Sequence, residues 1–344
     1  MFPCKGVGVA RVSRRPPPDG ICWMSALIPM ASPDPGSVAP SGHPGDRCIY
    51  GLRIASTFPL ADLPPWTGDG RTVDVWVDVG PVPPLADPVV DRPFLQVAAD
   101  GTSRFQVPGV AAWRVAPDGS RITVDPVEDP AGASQRTFLY GSVFAIVGLR
   151  RGLLPVHAAC LRFAGGAVAF AGPSGIGKST LAARLVLRGY PLLADDVTML
   201  DLSAPGGPLV LPAFPRLKLW QDAMDRLGLP AEGLERARPT LDKFHLPVGE
   251  AFQGQPARLK AMVFLEGRGA TRPGLRRLTL METLERSGDM LYRPQMMVRL
   301  GLKAERMAAI PRLMSALGGA YAHCRLGDEA ELDALLAALA DAGA

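Results

Sequence analysis

The sequence predicts an α/β protein in which a phosphate-loop core follows a smaller β-rich domain. Two observations carry this. An apolar run ends in Gly172-Pro-Ser-Gly-Ile-Gly-Lys-Ser179 and opens into a helix-like stretch. Upstream, Val73, Val75, Val77 and Val79 alternate with Asp74, Trp76 and Asp78, the two-residue period of a half-buried strand. At 344 residues the chain is long enough for about two domains with a sizeable core.

Taken in order, residues 1–46 hold nine prolines and six glycines. That density disfavours a packed core, so a disordered leader is expected there. The β-rich domain is expected over 47–130, because Ala99-Asp-Gly101 and Pro117-Asp-Gly119 mark hairpin turns between alternating segments such as Arg121-Ile-Thr-Val124. Thr137 to Leu149 reads as a buried helix leading into the second domain, residues 131–344. His157 to Phe163 and Ala167 to Ala171 are apolar runs joined by Ala-Gly-Gly, a tight hairpin. A helix is expected from Ser179 to Arg188, with Gly189 where a C′ residue belongs. Tyr190 to Ala194 is a short apolar strand running into Asp195-Asp196. Arg258 to Leu265 and Leu275 to Leu280 read as strands. Two helices are expected to close the chain, the last starting at Asp328 with Glu331 completing a capping box. Met296, Met297, Leu332, Leu335, Leu336 and Leu339 are expected in the core.

Composition narrows the function classes. No segment reaches the ~18 uncharged apolar residues of a membrane helix, and a net charge of +4 is too mild to point to nucleic acid or a membrane surface. Five scattered cysteines without a C-x-x-C pair fit a reducing cytoplasm better than a disulfide framework or zinc site. The four histidines form no H-x-x-x-H pair.

The chemistry concentrates at Gly172 to Thr180. G-x-x-x-x-G-K-[ST] between a strand and a helix lets backbone N–H groups turn inward around phosphate oxygens at a helix N-terminus. Gly172, Pro173, Ser174, Gly175, Ile176, Gly177, Lys178, Ser179 and Thr180 are therefore the expected nucleotide loop. Lys178 supplies a point charge for the β- and γ-phosphates, and the Ser179 hydroxyl is suited to Mg2+. Asp195 and Asp196 end an apolar strand at the ligand edge of the sheet. One of the two can hold Mg2+ while the other accepts a hydroxyl proton. Arg216, Lys218 and Lys243 are candidates for further phosphate or peptide contacts.

The segments Val156-His-Ala-Ala, Gly172 to Ser179 and Leu193-Ala-Asp-Asp196 together resemble the catalytic domain of HPr kinase/phosphorylase. That family places a histidine 21 residues before the loop lysine and two aspartates 17 and 18 after it, and His157, Asp195 and Asp196 match all three offsets around Lys178. The resemblance implies a phosphoenolpyruvate-carboxykinase-like P-loop kinase core with a mixed sheet. It further implies transfer of the ATP γ-phosphate to a serine of a peptide or small protein. His157 would pair with an aspartate, Asp195 would be the base, and Asp196 with Ser179 would hold Mg2+. The family's glycine-rich signature and its basic loop for HPr are not legible here. The arrangement is closer to the related proteins encoded beside peptide natural-product genes, including lasso-peptide tailoring kinases. Two other readings stay open: a shikimate-type small-molecule kinase, and a non-catalytic nucleotide-binding scaffold. The sequence leaves oligomerisation open.

Overall fold

The computed structural model describes residues 45–267, 274–324 and 327–343. Apart from its last two residues, the expected leader lies outside them. Residues 47–126 form an eight-stranded sheet, in spatial order Arg47–Ile49, Leu52–Ser56, Val75–Val79, Arg121–Pro126, Ala111–Val115, Ser103–Val107, Leu95–Val97 and Val90–Arg92. The 52–56, 75–79 and 121–126 strands run parallel and the remaining neighbours antiparallel. The hairpin turns fall where the Asp-Gly pairs stand. Asp118 accepts the Ser120 N–H at 3.0 Å and Asp100 the Thr102 N–H at 2.7 Å, the side-chain turns that favour Asp before Gly. Val75 and Val77 are buried and Trp76 is exposed, as the alternation requires; Val79 is exposed too, at the strand's end.

The expected helix over 137–149 is a broken one. Helices Ala133–Phe138 and Phe144–Arg150 flank a single π-helical segment, Leu139–Val143. Every residue from Leu139 to Leu149 is buried, because the segment is covered on two sides. The Val147 backbone lies against Gly119 of the first sheet, and Gly148 lies against Met199 of the second. One apolar cluster therefore runs from Ile54, Trp113 and Ile122 through Phe144 and Ile146 to Val156, Met199 and Phe264. The boundary expected at 130/131 falls in the turn before Ala133–Phe138, and this core is shared by both sides of it.

The second sheet is mixed. Its axis is the ten-residue strand Ala257–Glu266, which pairs in parallel with Gly166–Ala171 and Gly319–Cys324 and antiparallel with Leu209–Leu211. The hairpin Ala158–Phe163/Gly166–Ala171 and the short strand Leu192–Ala194 stand where the apolar runs predict them. The C-terminal region departs from expectation. Only Arg276–Arg277 of the expected 275–280 strand is extended, because Thr279 and Glu282 form a full capping box and start the helix Leu280–Met290. Helices Pro294–Arg299 and Lys303–Ala316 follow, then the strand Gly319–Cys324 and the final helix Glu329–Asp341. Asp328 caps that helix by accepting the Glu331 N–H at 2.9 Å, while Glu331 turns back to Gly327 rather than to Asp328. Met296, Met297, Leu332, Leu335 and Leu339 are buried, and Leu336 is partly so.

Charges also cross the shared interface. Asp62, after the first two strands, accepts Arg216 Nη1 at 2.7 Å and Arg136 Nη1 at 2.6 Å. Arg136 forks onto Glu235 at 2.5 and 2.6 Å, and Glu235 meets His245 Nδ1 at 3.1 Å. Arg216 is buried, stacked over Phe214 and Tyr140. Removing one partner of a buried ion pair strands the other charge. Asp62→Ala is therefore expected to destabilise the protein by about 3 kcal/mol, read as a lower urea midpoint. An unchanged midpoint would show that Arg216 needs no carboxylate.

Candidate active site

The P-loop strand Gly166–Ala171 is central and wholly buried, so the loop after it starts from a fixed point. Gly172, at φ +142°, sits where a Cβ would come within 3.0 Å of the Leu265 carbonyl oxygen. Gly177, at φ +110°, turns the chain into the helix Lys178–Leu187 in a left-handed conformation that disfavours side chains. Pro173, Ser174 and Gly175 are exposed, Ile176 and Thr180 half-buried. The first N–H groups of a helix have no intrahelical acceptor, so this end of the helix offers donors and a partial positive charge to an anion.

Lys178 is folded back over the loop. Its Nζ donates to the Gly172 carbonyl at 2.7 Å and the Pro173 carbonyl at 2.9 Å. Burial pulls its pKa down from the usual lysine value to about 8, against the opposing pull of Asp195 and Asp196. Beside the loop lies a cavity of about 350 Å3 whose lining joins apolar Ile176, Leu181, Leu227 and Leu265 with charged Arg184 and Arg226. Its volume lies within the range of small-molecule sites.

The two aspartates diverge. Val197 N–H bonds the Asp195 carbonyl at 2.9 Å, and Asp196 between them has φ +70°, so a tight three-residue turn reverses the backbone at Asp196. Such a conformation in a non-glycine residue is strained and concentrates at functional positions. Its effect is to send neighbouring carboxylates to different partners. Asp195 Oδ1 accepts the Ser179 hydroxyl at 2.8 Å and Oδ2 accepts the Lys218 N–H at 2.9 Å. Asp196 Oδ2 accepts Lys218 Nζ at 2.9 Å, and Oδ1 lies 3.5 Å from His157 Nδ1. Of the two aspartates it is Asp195 that meets the Ser179 hydroxyl, while Asp196 lies beside His157.

Electrostatics separate the pair further. Burial, then the neighbouring Asp196 charge, push the Asp195 carboxyl up. Burial acts on Asp196 in the same direction but is outweighed by Lys218, with Lys243 helping, so its carboxyl is held well below the usual range. His157 Nδ1 lies 2.9 Å from the Asp196 carbonyl oxygen. A carbonyl can only accept, so Nδ1 carries the proton and Nε2 is left as an acceptor. Burial and Lys178 hold this imidazole neutral by lowering its pKa.

The strand Arg216–Trp220 contributes Lys218, whose alternation with Arg216 places both on one buried face. Of the three basic candidates, Lys218 enters the acid pair. Arg216 turns to Asp62, and Lys243 sits over the Trp220 ring at 5.6 Å with its charge felt at both aspartates. The sequence pattern carried no sign of Tyr292, whose ring lies 6.2 Å from that of His157 and whose hydroxyl reaches toward Gly141. Among the described residues no helix is long and apolar enough to cross a membrane, and no group of three His, Cys, Asp or Glu forms a metal cage. Mg2+ needs no such cage: one carboxylate and one hydroxyl, completed by phosphate oxygens and water, are its usual protein share, and Asp195 with Ser179 fits it.

No family model matches the chain. It is 34% identical over 155 residues to the proteins named HPr kinase/phosphorylase of Bordetella pertussis, Bordetella parapertussis and Bordetella bronchiseptica. The aligned stretch is 45% of this chain and 44% of each relative, so the chain spans less than half the length of the curated relatives it matches. This partial identity supports a relationship to HPr-kinase-like proteins, and the mixed α/β architecture with several sheets is consistent with it.

Proposed function

We propose that this protein is an ATP-dependent serine kinase acting on a peptide or small protein. The observation that carries the reading is the divergence of the acid pair, one carboxylate on the loop serine and its neighbour beside a neutral histidine. A scaffold that only binds nucleotide needs the first arrangement and has no use for the second. In this reading the P-loop residues 172–180 hold the phosphates, and the adjoining cavity takes the nucleoside. Ser179 and Asp195 hold Mg2+, which neutralises phosphate charge when bound. Asp196, whose weak basicity in the ligand-free protein comes from Lys218, accepts the proton of the attacking hydroxyl once that ion pair opens, and His157 fixes the turn that aims it. This exchanges the two aspartate roles that the family resemblance implies.

A peptide acceptor is supported by the path from His157 to the first sheet. His157 N–H bonds the Met290 carbonyl at 2.6 Å, and Tyr292 N–H bonds the Pro155 carbonyl at 3.1 Å. The helix Pro294–Arg299 then runs to the outer hairpin, where Arg299 reaches the Pro93 carbonyl. The terminal strand Val90–Arg92 has no further neighbour among the described residues. An open edge of this kind can take an extended peptide by strand addition, which suits a flexible peptide terminus such as that of a lasso-type precursor. The test is mass spectrometry after incubation with Mg·ATP and, separately, serine-terminated peptides, HPr and shikimate. Phosphoserine on a peptide is expected. Phosphate on shikimate alone, or ATP bound without transfer to any acceptor, would sink the reading.

A further inference from the structure

We propose that Lys218 is a catalytic residue whose ammonium exchanges Asp196 for the γ-phosphoryl group when nucleotide binds. The inference rests on the kinase reading above and adds a residue that reading leaves without a part.

The geometry separates the two ends of Lys218. Its backbone is fixed: the strand pairs Lys218 with His245, and its N–H bonds Asp195. Among the described residues its side chain has a single hydrogen-bond partner, Asp196 Oδ2, which leaves two of the three ammonium donors for another acceptor. The side chain is about nine-tenths buried, where an unused charged donor is costly. Lys178, by contrast, already spends two donors on loop carbonyls.

The local charge count also asks for an anion. Among the described residues Lys178, Lys218 and Lys243 face the acid pair, His157 is neutral, and Asp195 and Asp196 alone oppose them. Arg216 and Arg136 nearby are matched by Asp62 and Glu235 and do not alter the balance. The ion pair also weakens Asp196 as a proton acceptor, because an ammonium on Oδ2 stabilises the ionised carboxylate that the reaction has to protonate. Release of Lys218 to the phosphoryl oxygens solves both problems together. The serine oxygen–phosphorus bond then forms as the phosphorus–oxygen bond to ADP breaks. ADP leaves with that electron pair, and the hydroxyl proton passes to Asp196.

The test needs no acceptor. Calorimetric titration is done with Mg2+ and either ADP or a non-hydrolysable ATP analogue, on the full chain. Lys218→Met is expected to weaken the ATP analogue by about 10- to 100-fold, the loss of one charge-assisted hydrogen bond, and ADP by no more than about twofold, which also shows that the variant is folded. Lys218→Arg should retain most of the preference. Asp196→Asn should tighten the ATP analogue, and that gain should vanish in the Lys218→Met background. Equal losses for both nucleotides, or no loss, overturn the role of Lys218 while leaving the kinase reading intact. Failure of the unaltered protein to bind either nucleotide overturns both.

Discussion

Lys178→Met is expected to lower Mg·ATP affinity by about 100-fold or more while raising the stability of the ligand-free protein. The loss follows from charge: contacts to the β- and γ-phosphates are charge-assisted, each worth roughly 1.5–3 kcal/mol. The gain follows from burial. The ammonium is nearly inaccessible, and the folded protein holds its pKa at about 8 against the usual lysine value. A lysine whose folded pKa lies below its unfolded one opposes folding. The penalty is complete below about pH 8 and fades as pH rises toward 10.5. At neutral pH its removal is therefore worth on the order of 1–3 kcal/mol, and methionine keeps the stem's packing. Titration calorimetry and thermal melts read the two effects. A variant that binds Mg·ATP normally would end the P-loop reading.

The same shift makes a pH signature. Bound phosphate favours the ammonium form, so the unaltered protein should lose affinity for Mg·ATP as pH rises above about 8, where Lys178 deprotonates. That limb should be missing in Lys178→Met. A shared limb would assign the titration to another group.

What the sequence made legible divides along physical lines. Local signals held: alternation and Asp-Gly turns placed the first sheet, and the loop glycines with Lys178 placed the strand–loop–helix that follows Ala171. The π-segment at Leu139–Val143 escaped because its cause is tertiary, burial between two sheets and the approach of Tyr292 to Gly141. The strand Gly319–Cys324 escaped because Gly-Ala-Tyr-Ala-His-Cys has no β-branched residue and is held extended by pairing with the central strand and with Arg276–Arg277. At the site, spacing brought His157, Lys178, Asp195 and Asp196 together but could not orient them. A single positive φ at Asp196 decides which carboxylate meets Ser179, and nothing in Ala-Asp-Asp-Val announces it. Lys218 was visible only as a basic candidate for phosphate or peptide contacts. Its contact with Asp196 depends on how that separate hairpin docks.

That one dihedral sets the second large effect. With Asp196 beside His157, Asp196→Asn should slow phosphoryl transfer by roughly 10²–10⁴, the span for loss of a general base, with Mg·ADP affinity kept. Asparagine tolerates the left-handed turn, so the backbone reversal survives the exchange. Asp195→Asn removes the acceptor of the Ser179 hydroxyl and the carboxylate of the oxygen pair. Its expected signature is different: activity that returns as Mg2+ is raised, because a neutral amide is a weaker ligand than a carboxylate. Rate against Mg2+ concentration for the two variants distinguishes the roles. If Asp195→Asn were the variant that excess Mg2+ cannot rescue, while Asp196→Asn were rescued, the base would be Asp195. The turn at Asp196 would then serve to present Asp195 and not its own carboxylate.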